Sequence, residues 1–157
     1  MAESNRFLLL QDVQTALRAI SVAGGYFFDV ENDAVSLDPM NQIAAMTGEL
    51  LYDPFFVIEL APTEDPPLFP SSQLIDELVI RISAATDAEQ LEDDGLLKAF
   101  TRLTSDIEKA VEVDVTRSGL CSRHTMGGCQ MGLIAGTTRV FAVCETNARV
   151  HRTHGTQ

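Results

Sequence analysis

The sequence predicts an α+β domain: a mainly antiparallel sheet packed against two long helices, with a long Pro-rich loop. Three observations lead there. Segments 4–22 and 95–113 carry apolar residues at three- and four-residue spacing, the period of an amphipathic helix. Between and after them lie short runs of β-branched and aromatic residues, which suit a pleated sheet. The order reads helix, two strands, loop, two strands, helix, two strands, and helices set apart from hairpin-like strands mark the α+β class.

Ser4 is placed to cap the first helix, which is expected to run to about Val22. Leu9, Leu10, Val13, Ala16, Leu17 and Ile20 form its stripe, and Gly24-Gly25 stops it. Tyr26 to Val30 reads as a short strand, Glu31-Asn32-Asp33 as a polar turn, and Val35 to Leu37 as the returning strand. Asp38-Pro39 breaks the chain. Gln42 to Leu51 fits either a short helix or a loop with a strand. Pro54 opens a run, Phe55 to Leu60, apolar enough for a central strand.

Ala61 to Ser72 holds Pro62, Pro66, Pro67 and Pro70, which lack the N–H groups a regular element needs, so a long surface loop is expected there. Its Leu68 and Phe69 are apolar side chains on a loop, the kind that serves contacts between molecules. Leu74 to Ala84 is the clearest strand, with Leu78, Ile80 and Ile82 on one face. The polar stretch Thr86 to Asp94 leads into a second helix, Gly95 to Val113, striped by Leu96, Phe100, Leu103, Ile107, Ala110 and Val111. Asp114 to Gly128 reads as irregular. Met131 to Ala135 and Arg139 to Thr146 read as a hairpin around Gly136-Thr137-Thr138.

The 157 residues make one domain by length, taken as 1–150, with 151–157 as a polar C-terminal arm. With 11 basic against 23 acidic side chains the formal charge is −12, which opposes phosphate-driven nucleic-acid binding and anionic membrane surfaces. No apolar run reaches the ~20 residues of a membrane span, and Met1 to Arg6 lacks the basic start of a secretion signal. Three Cys in such a chain read as free thiols. The acid is concentrated in residues 1–78. The stretch 115–157 carries Arg117, Arg123, Arg139, Arg149 and Arg152 against Glu145 alone. This asymmetry suggests head-to-tail self-association, with Arg139 and Arg149 as candidate contacts between subunits.

Catalytic constellations are weak. Cys121-x2-His124 followed by Cys129, with Cys144, His151 and His154 beyond, supplies zinc-type ligands without a zinc spacing. A Cys121–His124 or Cys129–His124 nucleophilic pair has no third residue in the sequence to orient the histidine. The glycine pairs Gly24-Gly25 and Gly127-Gly128 stand in the wrong order for a phosphate loop, and Asp29, Glu31 and Asp33 lack the glycine and terminal glutamate of a calcium loop. The sequence therefore reads as a non-enzyme without cofactor or metal. A small Cys/His metal-binding enzyme or regulator and a plain acidic interaction domain stand as alternatives.

A larger pattern runs along the chain. Leu10-x-x-Val13-x-x-x-Leu17-x-x-Ile20 leads to Gly25-Tyr26, then to a Pro54-initiated strand, then past a variable loop to Leu78-Val79-Ile80-Arg81-Ile82. Leu103-x-x-Asp106-Ile107-x-x-Ala110-Val111 follows in the second helix, and Val140 to Cys144 closes the series. This layout, from about Phe7 to Arg152, resembles the tail terminator (tail completion) proteins of tailed bacteriophages, whose second helix carries an Asp-Ile-x-x-Ala step. The Cys-rich stretch 121–129 and the segment 42–51 have no counterpart in that pattern. The resemblance implies an α+β subunit of a homo-oligomeric, hexameric ring in the virion tail or neck, assembled in the host cytoplasm. Such a ring caps the tail tube protein, stops its polymerisation and presents a surface to the head-tail connector protein. A head-completion or neck connector protein is the nearest alternative. No membrane and no sequence-specific nucleic acid are implied as partners.

Overall fold

The computed structural model describes residues 4–38, 50, 52–61, 75–88, 94–134 and 137–151, which build a five-stranded mixed sheet and two α-helices. Helix α1 (Asn5–Arg18) begins where the Ser4 hydroxyl accepts the Phe7 N–H at 3.2 Å. It buries Leu9, Val13 and Leu17. It ends four residues before the expected Val22. Ile20 leaves the helical path to bury its side chain, and its carbonyl accepts the Val30 N–H at 3.0 Å. Ser21 caps a separate turn of 3₁₀ helix, Val22–Gly24, closed by Gly25 at φ 91°.

The expected strand at Tyr26 to Val30 does not form. The backbone N–H groups of Phe27 and Phe28 donate to the buried carboxylate of Asp106, at 2.9–3.0 Å, rather than to a neighbouring strand. A run rich in aromatics thus becomes a tethered loop, because its hydrogen bonds go to a side chain. The returning strand shrinks to β1 (Val35–Ser36), which lies parallel to β2 (Phe55–Leu60) instead of closing a hairpin.

Strand β3 (Ile75–Asp87) continues three residues beyond the expected Ala84. It pairs antiparallel with β2 on one side and with β5 (Arg139–His151) on the other. The β5 strand runs well past Thr146, and His151 belongs to it, opposite Ile75. Helix α2 (Gly95–Glu112) follows its expected limits and buries Leu103, Asp106, Ile107, Ala110 and Val111. The stretch read as irregular, Asp114 to Gly128, turns into strand after Ser122: β4 (Arg123–Leu133) forms the sheet edge in the order β1-β2-β3-β5-β4. Segment 42–51, the proline-rich loop with Leu68 and Phe69, and residues 152–157 of the arm lie wholly or mostly outside the described residues.

Side chains alternate across the sheet as a pleat requires. Phe56, Ile58, Leu78, Ile80, Ile82, Ala142, Cys144 and Ala148 face the helices and share one core with Leu9, Val13, Leu17, Leu103 and Ile107. Helix α1 lies against β1 and β2, and α2 against β3, β4 and β5. No helix among the described residues is long and apolar enough to cross a membrane.

Candidate functional site

Chemistry-bearing side chains collect on β4 and its junction with β5. The two strands pair in one register from Arg123↔Arg149 to Met126↔Thr146, and in another from Cys129↔Cys144 to Leu133↔Val140. Between the two registers β4 advances from Met126 to Cys129 while β5 moves only from Thr146 to Cys144, so β4 carries an extra residue. The bulge falls at Gly127-Gly128 for a steric reason. A Cβ on Gly127 would lie 2.8 Å from the Glu145 carbonyl oxygen, whereas one on Gly128 would meet nothing within 4 Å.

His124 is fully buried beside this bulge. Its Nε2 lies 2.7 Å from Thr146 Oγ1, and that hydroxyl donates to the Ile80 carbonyl at 3.2 Å. The single hydroxyl proton is thus committed to Ile80, so the imidazole carries its own proton on Nε2 and donates to Thr146. Nδ1 has no hydrogen-bond partner among the described residues. Burial, with the nearby Arg117 charge adding to it, pushes the His124 pKa down to about 4, so the ring is neutral at pH 7.

Arg117 is also buried, and is held by carbonyls at the end of α2. Its guanidinium donates to Val111 O at 2.9 Å and to Asp114 O at 2.7 Å, and it pairs with Asp12 of α1 at 3.6 Å. It occupies the place of a C-terminal cap, satisfying carbonyls that a helix end leaves without partners. The three thiols divide in two ways. Cys121 is buried and directs its sulfur to the Val115 carbonyl at 3.6 Å. Cys129 and Cys144 are direct cross-strand partners, close enough for each thiol to perturb the other's titration. Burial raises the pKa of all three, so none is activated as a thiolate nucleophile.

The sequence candidates separate in space. His124 is tied to Thr146, and Cys129 to Cys144. Among the described residues no three His, Cys, Asp or Glu side chains stand close enough to hold a metal ion. His154 lies outside the described residues. Arg139 and Arg149, the candidate contacts between subunits, stand at opposite ends of β5, roughly 33 Å apart at ~3.3 Å per residue. Arg139 pairs with Asp87 at 2.7 Å and Arg149 with Glu77 at 3.1 Å. With Arg117 buried as well, the expected basic face is spread over several carboxylates of the same chain. On the sheet face away from the helices, Arg81 bridges Glu59 at 3.3 Å and Glu145 at 3.4 Å.

The structural roles of two residues named in the sequence, Asp106 and Arg117, escaped the sequence reading. Asp106 sits on the apolar stripe of α2, three residues after Leu103 and one before Ile107, and an acid there must find donors. That placement was the available signal. Burial raises its pKa, against the lowering effect of the Phe27 and Phe28 N–H groups. Lys109, one turn on, donates to Gly25 O at 3.1 Å and sits 4.5 Å over the Tyr26 ring. Arg117 offered no such signal, since its capping role depends on the chain doubling back after α2. No protein-family model matches the chain, and comparison with curated proteins finds no significant match.

Proposed function

We propose that the chain is a structural virion protein: a tail terminator whose copies close into a ring that caps the tail tube and joins the tail to the head connector. The observation that supports this best is the β4 edge. Eleven residues long, it ends the sheet with its outer side unpaired among the described residues. Near its end Met131 and Leu133 are 42% and 50% exposed. Monomeric folds usually blunt such an edge with lysine, proline, a bulge or a cover, because it templates pairing with another chain; here the bulge sits at Gly127-Gly128 and the regular pairing resumes from Cys129 to Leu133. The β4 strand has no lysine and no proline. A heterologous contact through this edge repeats from copy to copy and closes when the rotation allows it.

The remaining contacts in this reading are the Leu68 and Phe69 loop and the exposed Arg149–Glu77 pair, which can exchange partners at a subunit boundary. Exposed pairs of this kind contribute about 0–1 kcal/mol, so apolar and backbone contacts must supply most of the affinity. Negative-stain images of the purified protein test the proposal. Closed rings of uniform diameter are expected. Single small particles at all concentrations would refute it.

A further inference from the structure

We infer that Cys129 and Cys144 form a modification site: a cross-strand dithiol that peroxide oxidises to an intrachain disulfide, fastening the bulged edge strand β4 to β5. Geometry carries the inference. The two residues are register partners on adjacent antiparallel strands, with side chains on the same face and in mutual contact. Directly opposed residues in such a ladder have Cα atoms roughly 4.5–5.5 Å apart, inside the roughly 4.4–6.8 Å that a disulfide spans. Opposed residues in a ladder have Cβ atoms roughly 4.5–5.5 Å apart and a disulfide needs roughly 3.5–4.5 Å, so a local closing of the two strands by about 1 Å brings the sulfurs into bonding range.

Access differs between the two thiols, and that sets the order of events. Cys144 is fully buried, while Cys129 is half-buried and follows the exposed Gly127-Gly128 bulge. Oxidant therefore meets Cys129 first. Its thiolate attacks one peroxide oxygen, the O–O bond breaks, and the departing hydroxide takes up a proton to leave as water. Cys129 is then a sulfenic acid. The Cys144 sulfur attacks the Cys129 sulfur, the S–S bond forms, the S–O bond breaks, and a second water leaves with the Cys144 proton. Two thiols and one hydrogen peroxide thus give one disulfide and two waters. The raised pKa of Cys129 slows the first step and that of Cys144 the second, so the pair is a slow responder rather than a fast peroxidatic site.

Cys121 is the internal control. It lies outside the strand ladder, before β4 begins, so it has no cysteine as a register partner, and its sulfur is engaged by the Val115 carbonyl. The proposal does not depend on ring assembly.

The test uses the full-length reduced chain and excess hydrogen peroxide, followed by denaturation, alkylation and peptide mass mapping. Titratable thiols are expected to fall from three to one per chain. The Cys129 and Cys144 peptides should be joined, and dithiothreitol should reverse the link. In Cys129→Ala, a change at the more exposed position, Cys144 should stay alkylatable after the same treatment. Amide exchange around the bulge should slow by about a hundredfold in the oxidised form, the scale expected for closing a loop of about 15 residues. Loss of Cys121 at the same rate, over-oxidation of Cys129 with Cys144 still free, disulfides between chains, or three thiols persisting would each overturn the proposal.

Discussion

Strand β5 is shared by two neighbours that treat it differently. On one side β3 pairs with it over thirteen residues, Ile75↔His151 to Asp87↔Arg139, with no slip in register. On the other side β4 pairs with it in two segments divided by a bulge. The first pairing is fixed by burial, since Leu78, Ile80, Ile82, Ala142 and Cys144 must all face the helices, and a shift of one residue would turn every one of them outward. The second has less to lose. Its strand is short of apolar residues, carries three glycines and lies at the sheet edge, so an extra residue is accommodated there. The centre of the sheet therefore carries the stability, while the edge holds the bulge, the buried histidine and the paired thiols.

If that division holds, damage at the centre must cost most. Ile80 is fully buried in β3, and its carbonyl also receives the Thr146 hydroxyl. Ile80→Ala is expected to destabilise the fold by about 4 kcal/mol, read from urea unfolding midpoints. A cost below ~1 kcal/mol would show that the core does not rest on this strand.

The histidine at the β4–β5 junction gives the next largest effect, expressed through pH. The folded His124 titrates near 4 and the unfolded side chain near 6.5. Between those values the unfolded chain binds the extra proton, so stability is complete above pH 6.5 and falls as pH drops toward 4. A lowering of about 2.5 units corresponds to about 3 kcal/mol over that window. Asp106, with its raised pKa, acts in the opposite direction as pH falls, so the difference between wild type and His124→Gln isolates the histidine. The variant should lose most of the dependence between pH 6.5 and 4. An unchanged pH profile would mean that the histidine is not held neutral.

Smaller again is the bulge itself. Gly127→Ala presses a methyl against the Glu145 carbonyl and should cost about 1–3 kcal/mol, while Gly128→Ala, facing open space, should change stability by less than ~0.5 kcal/mol. Equal effects at the two glycines would place the bulge elsewhere.

Legibility in the sequence follows the same division. Helix α2, the first half of β3 and the start of β5 could be read because one-sided burial prints a period of 3.6 or 2 into the residues, and β2 because its run is nearly all apolar. Of β4 only the end, from Met131, could be read; before it Gly127, Gly128 and Gln130 break the alternation, and the bulge shifts what remains. Tyr26 to Val30 misled for another reason: its composition favours a strand, yet its N–H groups are claimed by Asp106, some eighty residues on. The parallel β1–β2 pairing is a long-range choice that local patterns do not record. Of the chemical candidates, spacing drew Cys121, His124 and Cys129 together, whereas the fold pairs His124 with Thr146 and Cys129 with Cys144. A strand register was needed to see either.

The smallest expected effect on folding is also the sharpest test of assembly. Met131→Lys with Leu133→Lys places charge on the exposed end of β4 and should leave stability within about 0.5 kcal/mol of wild type. Native mass spectrometry of the wild-type protein and this double variant, at matched concentration, measures the central claim directly. The wild type should show one closed multimer of defined mass, and the variant should show the monomer of 17.1 kDa. A wild-type spectrum containing only monomer, or a variant that keeps the full multimer, would contradict assembly through this edge.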